Sequence, residues 1–166
     1  MEQRTFTSTN SLTSPDSLKT IFWAGLVSGI LDAMAACIVF YLAKGFNPGQ
    51  VMQYIASGCF GMTAFSGGIT MISIGFILHF VIAFAIAAVY FMIFPYMKIM
   101  RTQPVISGLL LGVIAWAFMN LLVIPLSLAP KEPFNIAAAI VSIVWHMVLV
   151  GLPVALITKK HFDRGI

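Results

Sequence analysis

Charge is what this sequence has least of. Charged residues fill 8% of its 166 positions, five acidic side chains against nine basic ones. A soluble domain carries about 25%, so the chain lacks the polar surface to coat an apolar content of 60% at a mean hydropathy of +1.01. A water-soluble helical bundle is excluded on the same ground, because amphipathic helices need a charged face and the long apolar runs have none. Cysteine is nearly absent. Cys37 falls inside an apolar run and Cys59 outside one, and such different depths argue against a disulfide and for small apolar side chains. Catalytic signatures are missing: there is no HExxH, no GxSxG, no P-loop and no GxGxxG that opens a helix after a strand. Asp32 is the single carboxylate within the apolar runs, which excludes a two-aspartate protease dyad. The expectation is a protein that is not an enzyme and carries no obligatory cofactor.

What the sequence has is long apolar runs. Residues 21–42, 71–94, 105–128 and 136–158 each supply the roughly 20 residues that cross about 30 Å of hydrocarbon. The fold class expected is all-α: a polytopic membrane protein of four transmembrane helices whose main partner is the lipid bilayer. Residues 1–18, rich in Ser and Thr with mixed charge, read as a flexible tail before one membrane domain over 19–166. The first run is too long for a signal-peptide core, and no cleavage site follows it. The net charge of +4 is no nucleic-acid footprint, because the basic residues flank the runs instead of forming a patch. Arg4, Lys19, Lys98, Arg101, Lys159, Lys160 and Arg164 fall on one side, and Lys44 and Lys131 on the other. Seven against two predicts that both termini are cytoplasmic.

The connection over residues 43–70 is long enough to hold structure. Asn47 as N-cap and Pro48 at the first helical position predict a short helix near Pro48–Phe60, interfacial or re-entrant, with Gln50, Gln53 and Ser57 opposite Val51, Ile55 and Cys59. Gly67 and Gly68 then permit a sharp turn into the second run. The two halves also resemble each other. Gly25 and Gly29 open the first run as Gly108 and Gly112 open the third, and His79 in the second matches His146 in the fourth. Parallel repeats of a helical hairpin follow. The glycine pairs are expected to be helix-packing faces inside the bundle, with homodimerisation as the sharper alternative.

Four polar residues interrupt the runs: Asp32, His79, Asn120 and His146. At about 1.5 Å per residue, the first, second and fourth come within about a turn of the midplane, and Asn120 lies about a turn further out. A lone carboxylate at that depth costs roughly 2.5 to 3.5 kcal/mol, so the histidines are its expected partners. One polar cluster is predicted, with at least one histidine ring within hydrogen-bond reach of Asp32, directly or through one water, and the Asn120 amide orienting one member. Such a cluster can lock helices in register, carry a proton in a small transporter or channel that acts as a dimer, ligate a haem through two histidines, or bind zinc through His79, His146 and Asp32.

The segments QYIASG (53–58), LHFVIAF (78–84), MNLLVIPLS (119–127) and HMVLVGLPVAL (146–156) resemble a group of short bacterial inner-membrane proteins, the YagU-like family. The resemblance implies four spans and an inner-membrane location, and it implies no mechanism. It covers about residues 21–158 and leaves the tail aside.

Overall fold

The computed structural model describes residues 14–131 and 133–164, and among them every regular element is helical. Helix α1 (Pro15–Lys44) starts where Ser14 accepts the Ser17 amide and Pro15 fixes the first turn. It stops at Gly45, whose φ of 70° lets its N–H and that of Phe46 fold back onto Tyr41 and Phe40. Asn47 and Gln50 form a reciprocal capping box for α2 (Pro48–Phe60). A 3₁₀ stretch (Gly61–Ser66) leads to α3 (Gly68–Ile93). Short α4 (Lys98–Thr102) precedes α5 (Pro104–Ala117), which continues through a π-helical turn (Phe118–Val123) into α6 (Ile124–Leu126). Asn135 caps α7 (Ile136–Trp145), which passes through a second π-helical turn (His146–Gly151) into α8 (Leu152–Arg164).

Four helices are therefore long and apolar enough to cross a membrane: Pro15–Lys44, Gly68–Tyr96, Pro104–Leu126 and Ile136–Arg164. The chain is an all-α polytopic protein. The two π-helical turns have a local cause. Each ends two residues before a proline, Pro125 in the third span and Pro153 in the fourth. Proline cannot donate to the carbonyl four residues back and collides with it; a widened turn moves that carbonyl aside. The second span has no proline between Gly68 and Ile93, and α3 runs unbroken.

The spans form an incomplete ring. α1 lies between α3 and the fourth span, and the fourth span packs on α5. α3 and the third span meet mainly near the end that carries Ser14 and Arg164, where Tyr90 Oη and Ser107 Oγ are 2.7 Å apart. At this terminal end Ala24, Ala87, Tyr90, Phe94, Val154 and Ala155 make a closed core, with Phe162 stacked on Phe94. At the distal end the ring is hollow, and α2 packs across it against α3 and α1.

The glycine pairs are spent inside this ring. A Cβ on Gly25 or Gly29 would lie 2.3 Å or 2.9 Å from the rings of Phe84 and Phe80. On Gly108 or Gly112 it would lie 2.9 Å from the Gly151 carbonyl or 2.3 Å from Met147 Cα. Phe80 and Met147 each follow a histidine by one residue, and Phe84 and Gly151 by five. Both halves thus make the same contact in the same register, first helix to second.

Two expectations need adjusting. α1 begins at Pro15, inside the segment expected as a tail over 1–18; Ser14 and Pro15 are a strong start signal that the Ser/Thr-rich composition masks, and the rest of the tail lies outside the described residues. In α2 the polar face is not turned to water. Gln53 and Ser57 are buried together with Val51, Met52 and Ala56, while Cys59 is exposed. The cause is Gly75 of α3: a Cβ there would lie 1.9 Å from the Met52 carbonyl oxygen, so α2 sits backbone against backbone in the bundle instead of on its surface.

Candidate functional site

The hollow of the ring is a cavity of about 370 Å³, and Asp32, His79, Asn120 and His146 all contribute to its wall. Most of the remaining wall is apolar, and α2 covers the distal end with Val51, Tyr54 and Ile55. From Asp32 the cavity rises along α1 to Phe40, a climb of about 12 Å.

Asp32 is the chemical centre. The indole Nε1–H of Trp145 donates to Asp32 Oδ1 at 2.9 Å, and His146 Nε2 stands 3.8 Å from the same oxygen. The other nitrogen of His146 fixes the ring's state. Nδ1 lies 2.7 Å from the Ser142 carbonyl oxygen, which only accepts, so Nδ1 carries a proton. A neutral His146 therefore turns a lone pair toward the Asp32 carboxylate. The two groups become complementary when they share one further proton, either as imidazolium and carboxylate or as imidazole and carboxylic acid. Trp145 stacks on the His146 ring with centroids 5.3 Å apart and planes inclined by 19°, which holds the indole N–H and the imidazole Nε2 near one oxygen. The side chains of Asp32 and His146 keep 22% and 13% of their surface exposed, so the pair faces the cavity and is not sealed in the packing.

His79 has another job. Its Nε2–H donates at 2.9 Å to the carbonyl oxygen of Gly29, and its ring stands edge-on to Phe80. Gly29 has no side chain to hold α3 away, so the imidazole reaches the α1 backbone before it can reach Asp32. The expected Asp32–His79 partnership is thus replaced by a tie between two helices. Asn120 orients no member of the pair either: its Nδ2 donates to its own helix, to the Trp116 carbonyl at 3.0 Å. The widened turn around Asn120 supplies that nearby acceptor.

These bonds also bear on the ligand alternatives. A bis-histidine haem needs two ring nitrogens that face each other, yet Nε2 of His79 is committed to Gly29 and Nε2 of His146 is turned to Asp32. A zinc site from His79, His146 and Asp32 is likewise split. Among the described residues no three histidine, cysteine or acidic side chains converge as metal ligands.

Trp145 and Gly151 were not among the residues expected at the site. Trp145 carried a usable signal: an indole N–H inside lipid must find an acceptor, and Asp32 offers the one carboxylate at that level. At the distal mouth the Lys44 ammonium lies 5.0, 5.8 and 5.6 Å from the ring centroids of Phe40, Phe46 and Tyr54, an aromatic cage around a cation. Comparison of the chain with family models, with curated proteins and with solved structures gives no match.

Proposed function

We propose that this chain is a multi-pass inner-membrane protein, both termini cytoplasmic, that binds a small lipophilic cation in its central cavity in exchange for a proton held between Asp32 and His146. The orientation rests on the seven-to-two distribution of basic residues, and the inner-membrane location on the YagU-like resemblance of its segments. One observation carries the exchange: a mid-span carboxylate opens into an apolar cavity with an indole N–H and an imidazole on the same oxygen. A carboxylate at that depth needs a positive charge or a proton beside it. A cation that enters next to Asp32 supplies the charge, so the shared proton becomes dispensable and leaves. The cavity volume falls in the usual range for small-molecule sites, roughly 300–1,000 Å³, and its mixture of apolar wall and few polar groups is typical of them.

The caged Lys44 ammonium supports cationic cargo, because Phe40 and Tyr54 line the same cavity. Closure by Tyr90, Phe94 and Phe162 at the terminal end leaves entry to the distal mouth or to the gap between α3 and the third span. His79 belongs to the scaffold in this reading. The test uses phenyltrimethylammonium, a permanent cation that cannot carry protons across lipid by itself. Added to acid-loaded liposomes that contain the protein, it should drive proton release from the wild type and none from Asp32→Asn. Equal release from both, or none from the wild type, defeats the proposal.

A further inference from the structure

A second recess lies at the terminal end, far from the central cavity, between the first turns of α1 and the last turns of α8. It encloses about 650 Å³. On α1, Lys19, Trp23 and Val27 are spaced by four residues and so share one face; on α8, Ile157, Lys160 and Arg164 do the same at three- and four-residue spacing. Both faces turn into the recess, and both change character in the same direction. The cations stand at the end of the bundle, and Trp23, Val27 and Ile157 lie deeper, at the level of the spans.

The charges there are uncompensated. Lys159, on the other side of α8, is paired with Asp163, but among the described residues Lys19, Lys160 and Arg164 have no carboxylate within ion-pairing distance. Asp16 is the one acidic residue on the recess wall, which leaves a surplus of two positive charges. Cations in the last turn of α8 also complement the carbonyl end of that helix. That role does not account for Lys19, which comes from a different helix and turns into the same recess. Basic groups above an apolar slot match an anionic headgroup above its acyl chain.

We infer that the recess between α1 and α8 binds a phosphate-bearing anion, and that its source is the headgroup of an anionic phospholipid from the leaflet on the terminal side. Lys19, Lys160 and Arg164 hold the phosphate, and Trp23 with Val27 and Ile157 receives the upper part of the chain. The interfacial position of Trp23, half exposed beside the cations, gives the site its own reporter.

The experiment uses the full chain with Trp116→Phe and Trp145→Phe, so that Trp23 is the sole tryptophan and is excited selectively over the tyrosines. It is reconstituted in phosphatidylcholine vesicles that contain a small fraction of either brominated phosphatidylglycerol or brominated phosphatidylcholine. The site predicts stronger quenching of Trp23 by the brominated anionic lipid at equal mole fraction. Each basic side chain contributes about a fivefold preference, so Lys160→Gln with Arg164→Gln should lower it by about twenty-five-fold while quenching by brominated phosphatidylcholine stays the same. No preference in the starting protein, or a preference that survives the double substitution, overturns the inference. Inorganic phosphate that abolishes the preference, where sodium chloride of equal ionic strength does not, overturns the lipid as the source and assigns the site to free phosphate.

Discussion

Substituting alanine for glycine along the contact between α5 and the fourth span should destabilise the protein in an order fixed by distance. A Cβ on Gly151 would sit 1.9 Å from the Gly108 carbonyl oxygen, on Gly112 2.3 Å from Met147 Cα, and on Gly108 2.9 Å from the Gly151 carbonyl oxygen. Ordinary contact begins at 3.4 Å. The helices must therefore part by about 1.5 Å, 1.1 Å and 0.5 Å in the three variants, and no side chain can swing aside, because the obstacles are backbone atoms and, for Gly108, also the Cβ of Ala155, which has no rotamer to change. Overpacking of this kind costs about 1 to 3 kcal/mol and occasionally more, so Gly151→Ala belongs at or above the upper end and Gly108→Ala near the lower. Gly58→Ala is the control. Its Cβ would meet only Ser127, Cβ at 3.7 Å and Oγ at 3.9 Å, and α2 should gain from the better helix former. Thermal unfolding in detergent, followed by tryptophan fluorescence, reads the series. Gly112→Ala should also disturb the candidate site, since its Cβ would press on the His146 carbonyl oxygen at 2.4 Å. If Gly151→Ala melts with Gly58→Ala, the backbone-to-backbone packing described for this contact is wrong.

Tyr90→Phe removes the bond to Ser107 but leaves Ser107 bonded to the Pro104 carbonyl; a loss of about 1 kcal/mol is expected in the same melting assay. Asp32→Asn and His79→Ala should have additive effects on stability, because His79 bonds Gly29 and not Asp32. Asp32→Asn and His146→Ala should depart from additivity by more than about 0.5 kcal/mol. Additive losses for the second pair, or coupling in the first, would reverse the roles given to the two histidines. Topology reporters fused after Lys44 and after Arg101 should give opposite signals, and matching signals would refute the proposed orientation.

The sequence was most legible where lipid is the solvent. Four apolar runs, Asn47 with Pro48, and the glycine pairs follow from rules that need no tertiary information, and each has its structural counterpart. Partner choice was less legible. Depth placed His79 and His146 level with Asp32, but depth does not tell which nitrogen meets which oxygen. That depends on how closely the backbones approach, and here Gly29 brings an α1 carbonyl within reach of His79 while the proline-induced turn at His146 leaves that ring beside Asp32. The inward polar face of α2 was hidden for a related reason. Gln53 is buried because Gly75 lets α2 dock tightly at Met52, a pairing across 23 residues that no local pattern announces.

The exchange of cation for proton at Asp32 is tested most directly by counting protons. Phenyltrimethylammonium is titrated calorimetrically into the purified protein in buffers of differing ionisation enthalpy, over a series of pH values. Wild-type protein should release about one proton for each cation bound, the single proton of the proposed exchange. His146→Gln should alter that number, and Asp32→Asn should bring both binding and release to zero. A cation that binds with no dependence on the buffer, or that binds Asp32→Asn as well as the wild type, would contradict it.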